Sequence, residues 1–161
     1  MTIPTIQTFD KKIIIGKKTR MSLVQNKTQK LWQCFMPKRN EIENTKGIEF
    51  FSIEIYDNLD FFKNFNPNNQ FEKWAAVEVT KIGKFPSDFE VLETIEGEYA
   101  VFHYHGDAAN AFNFYQYIYG DWLPNSKYIL DKRPHFSIMG AAYKNNDPNS
   151  EEDICVPIRL K

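Results

Sequence analysis

The chain has 161 residues, 42% of them hydrophobic and 25% charged, with a formal net charge of −1. This length suits one compact domain, and this composition excludes an intrinsically disordered, collagen-like or coiled-coil protein. The longest aliphatic run covers residues 13–15, far short of the roughly 18 apolar residues of a membrane span. Because the N-terminus also lacks a signal-peptide pattern, we expect a cytoplasmic protein with no membrane partner.

The basic charge is concentrated in residues 1–40, which contain nine Lys or Arg and one acidic residue. A basic arm can contact nucleic acid, but this one has neither zinc-finger spacing nor room for a helix-turn-helix domain. We therefore expect a solvated surface and no direct nucleic-acid partner. Cys34 and Cys155 form no CxxC pair, which favours reduced thiols. His103 and His105 share a strand face without a third ligand, so we expect no metal and no cofactor.

In the first half, β-branched residues favour a strand over residues 6–16. Apolar residues at i, i+4 spacing predict a helix over residues 28–41, which Pro37 ends or kinks. Alternating apolar residues predict strands over residues 50–56 and 71–80, separated by a turn rich in Asn and Pro. On each of these two strands a carboxylate and an aromatic side chain share one face.

The second half repeats this order of elements. Its predicted elements are strands at 90–94 and 98–105, a helix at 108–122, a strand entered at 133–138, a solvated loop at 147–152 and a final strand at 154–160. The repetition indicates two strand-helix-strand-strand modules, residues 1–88 and 89–161. We therefore predict a single α+β domain in which a mainly antiparallel, curved sheet carries two principal helices.

Four segments in order carry a resemblance to a known family. They are YAVFHYHG at 99–106, WLPNS at 122–126, RPHF at 133–136 and DPNSEE at 147–152. With these motifs the chain resembles the GyrI-like small-molecule-binding domains, which include effector-binding domains of AraC-type and MerR-type multidrug regulators and integron-cassette effector-binding proteins. The resemblance spans nearly the whole chain, residues 1–161, as one effector-binding domain without a DNA-binding domain.

The resemblance implies a ligand cavity between two related modules, with aromatic walls and a buried carboxylate that accepts lipophilic cations. Such a cavity is physically coherent, because a ring face attracts a cation and a desolvated carboxylate is poorly screened by water. The candidate ligand-binding residues are Trp32, Tyr56, Trp74, Glu78, Tyr99, Phe102, Trp122, Phe136 and Ser137.

Two departures from the family pattern concern this cavity. Relatives commonly carry Glu directly after the Phe of the RPxF segment, where this chain has Ser137, and often carry Trp where this chain has Cys155. Glu54 and Glu78 are the candidate replacements for the lost carboxylate, because alternation places each beside an aromatic residue on its strand face. The pocket is therefore expected to be wider and less charged than in relatives.

We expect a stand-alone binding protein for a lipophilic, aromatic and in some cases cationic small molecule, acting in ligand sensing or sequestration. Two alternatives stay open. Some relatives hydrolyse electrophilic cyclopropane-containing natural products, and here the catalytic residues are unknown because Ser137 replaces the most obvious acid-base group. The family name comes from inhibition of DNA gyrase, so the basic first 40 residues could instead contact an acidic protein surface.

Overall fold

The computed structural model describes residues 2–161 and places in them nine strands and two principal helices. The elements are β1 (Thr5–Phe9), β2 (Ile13–Met21), α1 (Thr28–Phe35), β3 (Phe50–Ile55), β4 (Phe71–Val79), β5 (Glu90–Glu93), β6 (Gly97–His105), α2 (Ala111–Tyr117), β7 (Tyr128–Leu130), β8 (His135–Met139) and β9 (Glu151–Leu160). None of the helices in this described part has both the length and the apolar character needed to span a membrane.

Eight strands form an antiparallel sheet in the order β1-β6-β9-β8-β3-β4-β2-β5, and β7 pairs with β9 outside this path. The strand order is symmetric about its centre, because β6, β9 and β8 of the second half occupy positions equivalent to those of β2, β4 and β3 of the first half. The halves join where β3 pairs with β8, and Ser52 lies opposite Ser137 in that pair. The predicted α+β class, with two similar strand-helix-strand-strand units in an antiparallel sheet, is confirmed.

The predicted strand over residues 6–16 is wrong as a single element, because it consists of two strands in different parts of the sheet. β1 pairs with β6, whereas β2 pairs with β4 and β5, although only residues 10–12 separate β1 from β2. Lys12 N donates to Thr94 Oγ1 at 2.9 Å, and Thr94 N donates to Lys12 O at 2.9 Å. The polar residues 10–12 thus form a crossing between the two edges, which forces the sheet to curve strongly.

The face of the sheet opposite the helices packs mainly against itself. Strands from both halves contribute to this inner core, whose buried members are Ile14, Phe51, Ile53, Trp74, Ala76, Tyr99, Phe136 and Cys155. Because strands from both ends of the sheet meet in one cluster, this face is the concave one. Burial of this apolar surface stabilises the curvature that the crossing between β1 and β2 imposes.

The two helices cover the other face of the sheet and leave its centre between them. Leu31 and Phe35 of α1 pack in a core with residues of β2 and β4, and Ile118, just after α2, packs in a core with residues of β6 and β9. The predicted helix over residues 28–41 is α-helical to Phe35 and a 3-10 helix over Met36–Glu41, where Pro37 lacks an N–H to donate. The predicted helix over residues 108–122 starts at Ala111 and is π-helical after Tyr117.

Candidate functional site

The candidate site lies at the centre of the helix-bearing face, where β3 and β8 run between the two helices. A row of small side chains crosses the sheet here, because Ala75 of β4 lies opposite Ser52 of β3, and Ser52 lies opposite Ser137 of β8. All three residues are buried. Small side chains lift little volume above the sheet, so the row forms the floor of what we call the central site: Ser52, Glu54, Lys73, Ala75, Tyr115, Ser137 and Glu152.

Glu54 and Lys73 form an ion pair beside this floor. They lie opposite each other on β3 and β4, and Lys73 Nζ is 3.2 Å from Glu54 Oε2. The side chain of Lys73 is only 13% exposed and that of Glu54 only 12%. Glu54 Oε2 accepts no hydrogen bond from residues 2–161. The pair is therefore a charge contact held largely out of water, where electrostatic attraction is strong and lost hydration is costly.

Glu152 adds a second carboxylate to the same face. Ile154 lies opposite Ser137, and strand alternation places Glu152 on the face that both share. Burial raises the pKa of Glu152 to about 7, the negative charge of Glu54 adds to this rise, and the positive charge of Lys73 opposes it. Glu152 therefore changes its charge near neutral pH.

Three tyrosines lie near Glu54: Tyr56 directly after β3, Tyr115 of α2 and Tyr119 of the π-helical turn that follows it. Burial raises the pKa of all three hydroxyl groups, and the negative charge of Glu54 contributes in each case. The nearby Ser137 hydroxyl opposes this rise for Tyr115, so the Tyr115 hydroxyl lies close to the floor row. The three groups are neutral at physiological pH and offer ring faces and hydroxyl hydrogen bonds.

A series of rings links the central site to the β3–β4 connection, residues 56–70. The Tyr119 hydroxyl is hydrogen-bonded to His135 Nδ1 at 3.0 Å, and Phe62 stacks on the Tyr119 ring with 3.7 Å between centroids. Burial lowers the pKa of His135 to about 3, and the charge of Arg133 adds to this, so the imidazole is neutral. The stack holds the β3–β4 connection against the helical segment that follows α2.

A cavity of about 150 Å³ adjoins this series of rings. Its aromatic lining comes from Tyr56, Phe62 and His135. The remaining wall contains both apolar and polar or charged residues, which are Ile55, Asn58, Leu59, Leu130, Asp131, Lys132, Arg133 and Pro134. A cavity of about this volume holds a single aromatic ring. The structure thus provides a space of about the size of one aromatic ring next to the central site.

The nine residues predicted from the sequence divide between the two faces of the sheet. Tyr56 and Ser137 line the central site or its aromatic border. Three others lie on the helix-bearing side, away from the floor row, and four lie on the concave face. The helix-side group is Trp32, Phe102 and Trp122, and the concave group is Trp74, Glu78, Tyr99 and Phe136.

The three helix-side residues pack within the cores beneath the helices. Trp32 meets Phe50 edge-on, with 6.2 Å between ring centroids. Phe102 meets Trp122 edge-on at 5.2 Å, under α2. Trp32 and Trp122 are both half-buried, and Trp32 is the one that contacts β3, through Phe50.

The concave aromatic residues satisfy their polar atoms locally. The Tyr99 hydroxyl donates to Pro134 O at 2.8 Å, and Trp74 Nε1 donates to Glu72 Oε2 at 2.9 Å. Tyr99 and Phe136 have ring centroids 5.3 Å apart within the inner core. The sheet itself separates these side chains from the central site.

Glu54 and Glu78, the two candidate carboxylates, lie on opposite faces. The register pairs Glu54 with Lys73, whereas Glu78 pairs with Ile14, whose side chain belongs to the inner core. Glu78 Oε1 lies 3.5 Å from Lys12 Nζ, so its charge is already balanced on the concave side. Glu54 is the one of the two that reaches the central site.

Sequence reasoning missed Lys73, Tyr115, Tyr119 and Glu152. The predicted solvated loop over residues 147–152 is wrong at its end, because β9 begins at Glu151 and Glu152 is partly buried. The signal was the alternation of the last strand, which extends back from Ile154 to Glu152. It was hard to use because acidic residues are seldom buried.

His103 makes hydrogen bonds through both ring nitrogens. Nε2 lies 2.7 Å from Glu151 Oε1, and Nδ1 lies 3.0 Å from Asp153 Oδ1. Within residues 2–161, no group of three or more His, Cys, Asp or Glu residues has the arrangement to hold a metal ion. The imidazole therefore acts as a bridge between the ends of β6 and β9.

The chain matches a family model described as the GyrI-like small molecule binding domain, over residues 3–159. Solved structures with the same fold include SAV2435 bound to tetraphenylphosphonium, with 14% identity, 97% of this chain and 93% of that chain covered, and a TM-score of 0.67. An integron cassette protein from the mobile metagenome of Vibrio cholerae has 13% identity, coverage of 98% and 96%, and a TM-score of 0.68. The C-terminal domain of EcmrR has 14% identity, coverage of 100% and 99%, and a TM-score of 0.65.

At these identities the structural matches establish the fold. No curated protein sequence matches the chain at a significant level. The resemblance that the sequence motifs indicate is confirmed by the match over residues 3–159.

Proposed function

Because the chain belongs to the GyrI-like small-molecule-binding domain family, we propose that its central site binds a lipophilic aromatic cation in ligand sensing or sequestration. The observation that carries this proposal is the presence of two carboxylates, Glu54 and Glu152, in one site largely withdrawn from water and balanced by the single ammonium group of Lys73.

The charge of the site supports a cationic ligand. With Glu152 ionised, two carboxylates face one ammonium group, so the site has an excess of negative charge. Outside bulk water this charge is weakly screened and attracts a cation more strongly than a surface carboxylate does. Burial is the main cause of the raised pKa of Glu152, and the charge of Glu54 adds to it. A ligand cation offsets both effects, because it stabilises the ionised carboxylate.

The rings around the site support an aromatic or otherwise flat apolar ligand. Tyr56, Tyr115 and Tyr119 are neutral, and their ring faces attract a cation through the quadrupole of the ring. The adjoining cavity takes about one ring, so a larger ligand needs the β3–β4 connection to move outward. SAV2435, which shares the fold, has been solved bound to tetraphenylphosphonium, an aromatic cation of that larger kind.

The proposal is tested by isothermal titration of the whole chain with tetraphenylphosphonium and, in parallel, with neutral triphenylphosphine oxide. We expect saturable binding of the cation and much weaker binding of the neutral compound. Glu152→Gln should weaken cation binding by about tenfold or more, the usual cost of losing a charged partner. The exposed Glu98→Gln is the matched control and should bind as the wild type does.

Two results would contradict the proposal. Equal affinity for the cation and the neutral compound would show an apolar site without charge selection. A loss of binding in Glu78→Gln, with none in Glu152→Gln, would move the site to the concave face. Intrinsic fluorescence gives a second readout, because the half-buried Trp32 contacts β3, through Phe50.

A further inference from the structure

The ion pair of Glu54 and Lys73 makes the two carboxylates of the central site different from each other. Lys73 Nζ lies 3.2 Å from Glu54 Oε2, and both side chains are nearly buried, so the charge of Glu54 is already balanced by the protein itself. Glu152 has no such partner at ion-pair distance among residues 2–161. A cation entering the site therefore meets one balanced carboxylate and one unbalanced carboxylate.

We propose that Lys73 is a specificity-determining residue that neutralises Glu54, so that Glu152 is the carboxylate that contacts the ligand cation and gives up a proton when the ligand binds. The proposal rests on the proposed function of the central site. It assigns the ligand a single positive charge, because the net charge of Glu54, Lys73 and ionised Glu152 is −1.

The surroundings of Glu152 agree with a proton that leaves on binding. Six titratable groups interact electrostatically with Glu152, and they come from several elements around it. They are Glu54 of β3, Lys73 of β4, Tyr104 of β6, Tyr115 of α2, Tyr143 of the β8–β9 connection and Asp153 of β9. Among these six, Lys73 alone contributes positive charge. A ligand cation would add a second one.

The proton balance of the step is simple. In the empty site the protonated Glu152 carboxyl is neutral, and the pKa of this group lies near 7. When the cation enters, the O–H bond of Glu152 breaks, the proton passes to solvent, and the carboxylate faces the cation. Affinity should therefore rise by up to about tenfold per pH unit below pH 7 and level off above it.

The decisive experiment compares E54Q, E152Q and the double variant E54Q/K73M in titrations with tetraphenylphosphonium. E54Q leaves Lys73 unpaired beside Glu152 and should weaken binding by about tenfold or more. The double variant removes both charges of the balanced pair, so binding should return to within about threefold of the wild type. E152Q should bind weakly and without pH dependence.

The outcomes separate the two proposals. If the wild type binds the cation and a folded E54Q/K73M does not recover binding, Glu54 is the contacting carboxylate and the assignment to Glu152 is wrong. If the wild type shows no preference for the cation, the proposed function itself fails. Thermal unfolding of each variant reports whether it is folded.

A measurement on the wild type alone tests the proton step without any substitution. Titrations in two buffers of different ionisation enthalpy give the number of protons released, which should be about one half near pH 7 and approach zero about two pH units higher. No release at pH 7 would overturn the role given to Glu152.

Discussion

At the residue scale, the negative charge of the central site comes from Glu54 and Glu152 and not from position 137. The family resemblance implies Glu at the position of Ser137, which lies on β8 between the strands that carry Glu54 and Glu152. Burial raises the pKa of Glu152 to about 7, and the negative charge of Glu54 adds to this rise. A third carboxylate at position 137 would add further repulsion. An uncharged serine at position 137 is thus consistent with a site whose two carboxylates come from β3 and β9.

Glu152→Gln should stabilise the empty protein, and more so at high pH. The pKa of Glu152 rises from 4.5 in the unfolded chain to about 7 in the folded one, so the unfolded state binds fewer protons between these values. The free energy of unfolding of the wild type therefore falls as pH rises from about 4.5 to about 7, by a few kcal/mol at most. The advantage of the variant should grow by about 2 kcal/mol between pH 5 and pH 8.

Urea unfolding at the two pH values measures this difference directly, and Glu98→Gln is the exposed control. An advantage of the same size at both pH values would show that Glu152 is ionised in the folded protein throughout this range. An advantage that grows toward low pH would reverse the sign of the expected linkage.

At the scale of elements, the β3–β4 connection is the part of the fold that we expect to control access to the site. It covers residues 56–70, longer than the two to five residues of a common hairpin loop. Its aromatic residues pack inward: Phe61 joins a cluster with Met21 and Phe71, and Phe62 stacks on Tyr119. We therefore expect a ligand larger than one ring to reach the floor row only after this stack opens.

Phe62→Ala should accelerate ligand association. The substitution removes the stack on Tyr119, so the connection opens at lower cost and the association rate for tetraphenylphosphonium should rise by roughly threefold to tenfold. Stopped-flow fluorescence gives this rate. Phe65→Ala, at a residue of the same connection that is 43% exposed, is the control and should leave the rate unchanged.

Equal acceleration in both variants would indicate general loosening of the connection rather than opening of the stack. An unchanged rate in Phe62→Ala would mean that the ligand enters by another route. The equilibrium affinity should change less than the rate, because Phe62 holds the closed state without occupying the floor row.

The strands and helices were largely predictable from the sequence, but the side of the sheet on which each strand face lies was not. Period-two alternation correctly places Glu54 with Tyr56 on one face of β3, and Trp74 with Glu78 on one face of β4. Which of these faces carries the helices depends on the register that sets Ser52 opposite Ala75. That register is fixed by long-range pairing, and a shift of one residue would exchange the faces.

At the scale of the whole molecule, the two halves are held together by exchange of their outer strands. β1 precedes β2 in the chain but pairs with β6, and β5 precedes β6 but pairs with β2. Phe9 of β1 stacks on Tyr99 with 4.8 Å between ring centroids, within the inner core. Because each half lends a strand to the other, we expect both halves to unfold in one transition.

Phe9→Ala tests this coupling. Loss of the half-buried ring should lower the free energy of unfolding by about 2–4 kcal/mol while leaving a single transition in urea. The control is Ile6→Ala in the same strand, where the side chain is 37% exposed and the expected change is smaller. Two separate transitions in Phe9→Ala would show that the halves are stable independently of the exchanged strands.

The pairing of β1 also fixes an order of events during protein synthesis. Thr5 pairs with Val101, a residue 96 positions later in the chain. At a translation rate of roughly 5–20 residues per second, β1 exists for about 5–20 seconds before β6 has been made. During that interval Ile6 and Phe9 have no strand to join, and chaperones that recognise exposed apolar segments of nascent chains have access to them. The edge of the sheet at β1 is therefore completed only after the second half of the chain has begun to leave the ribosome.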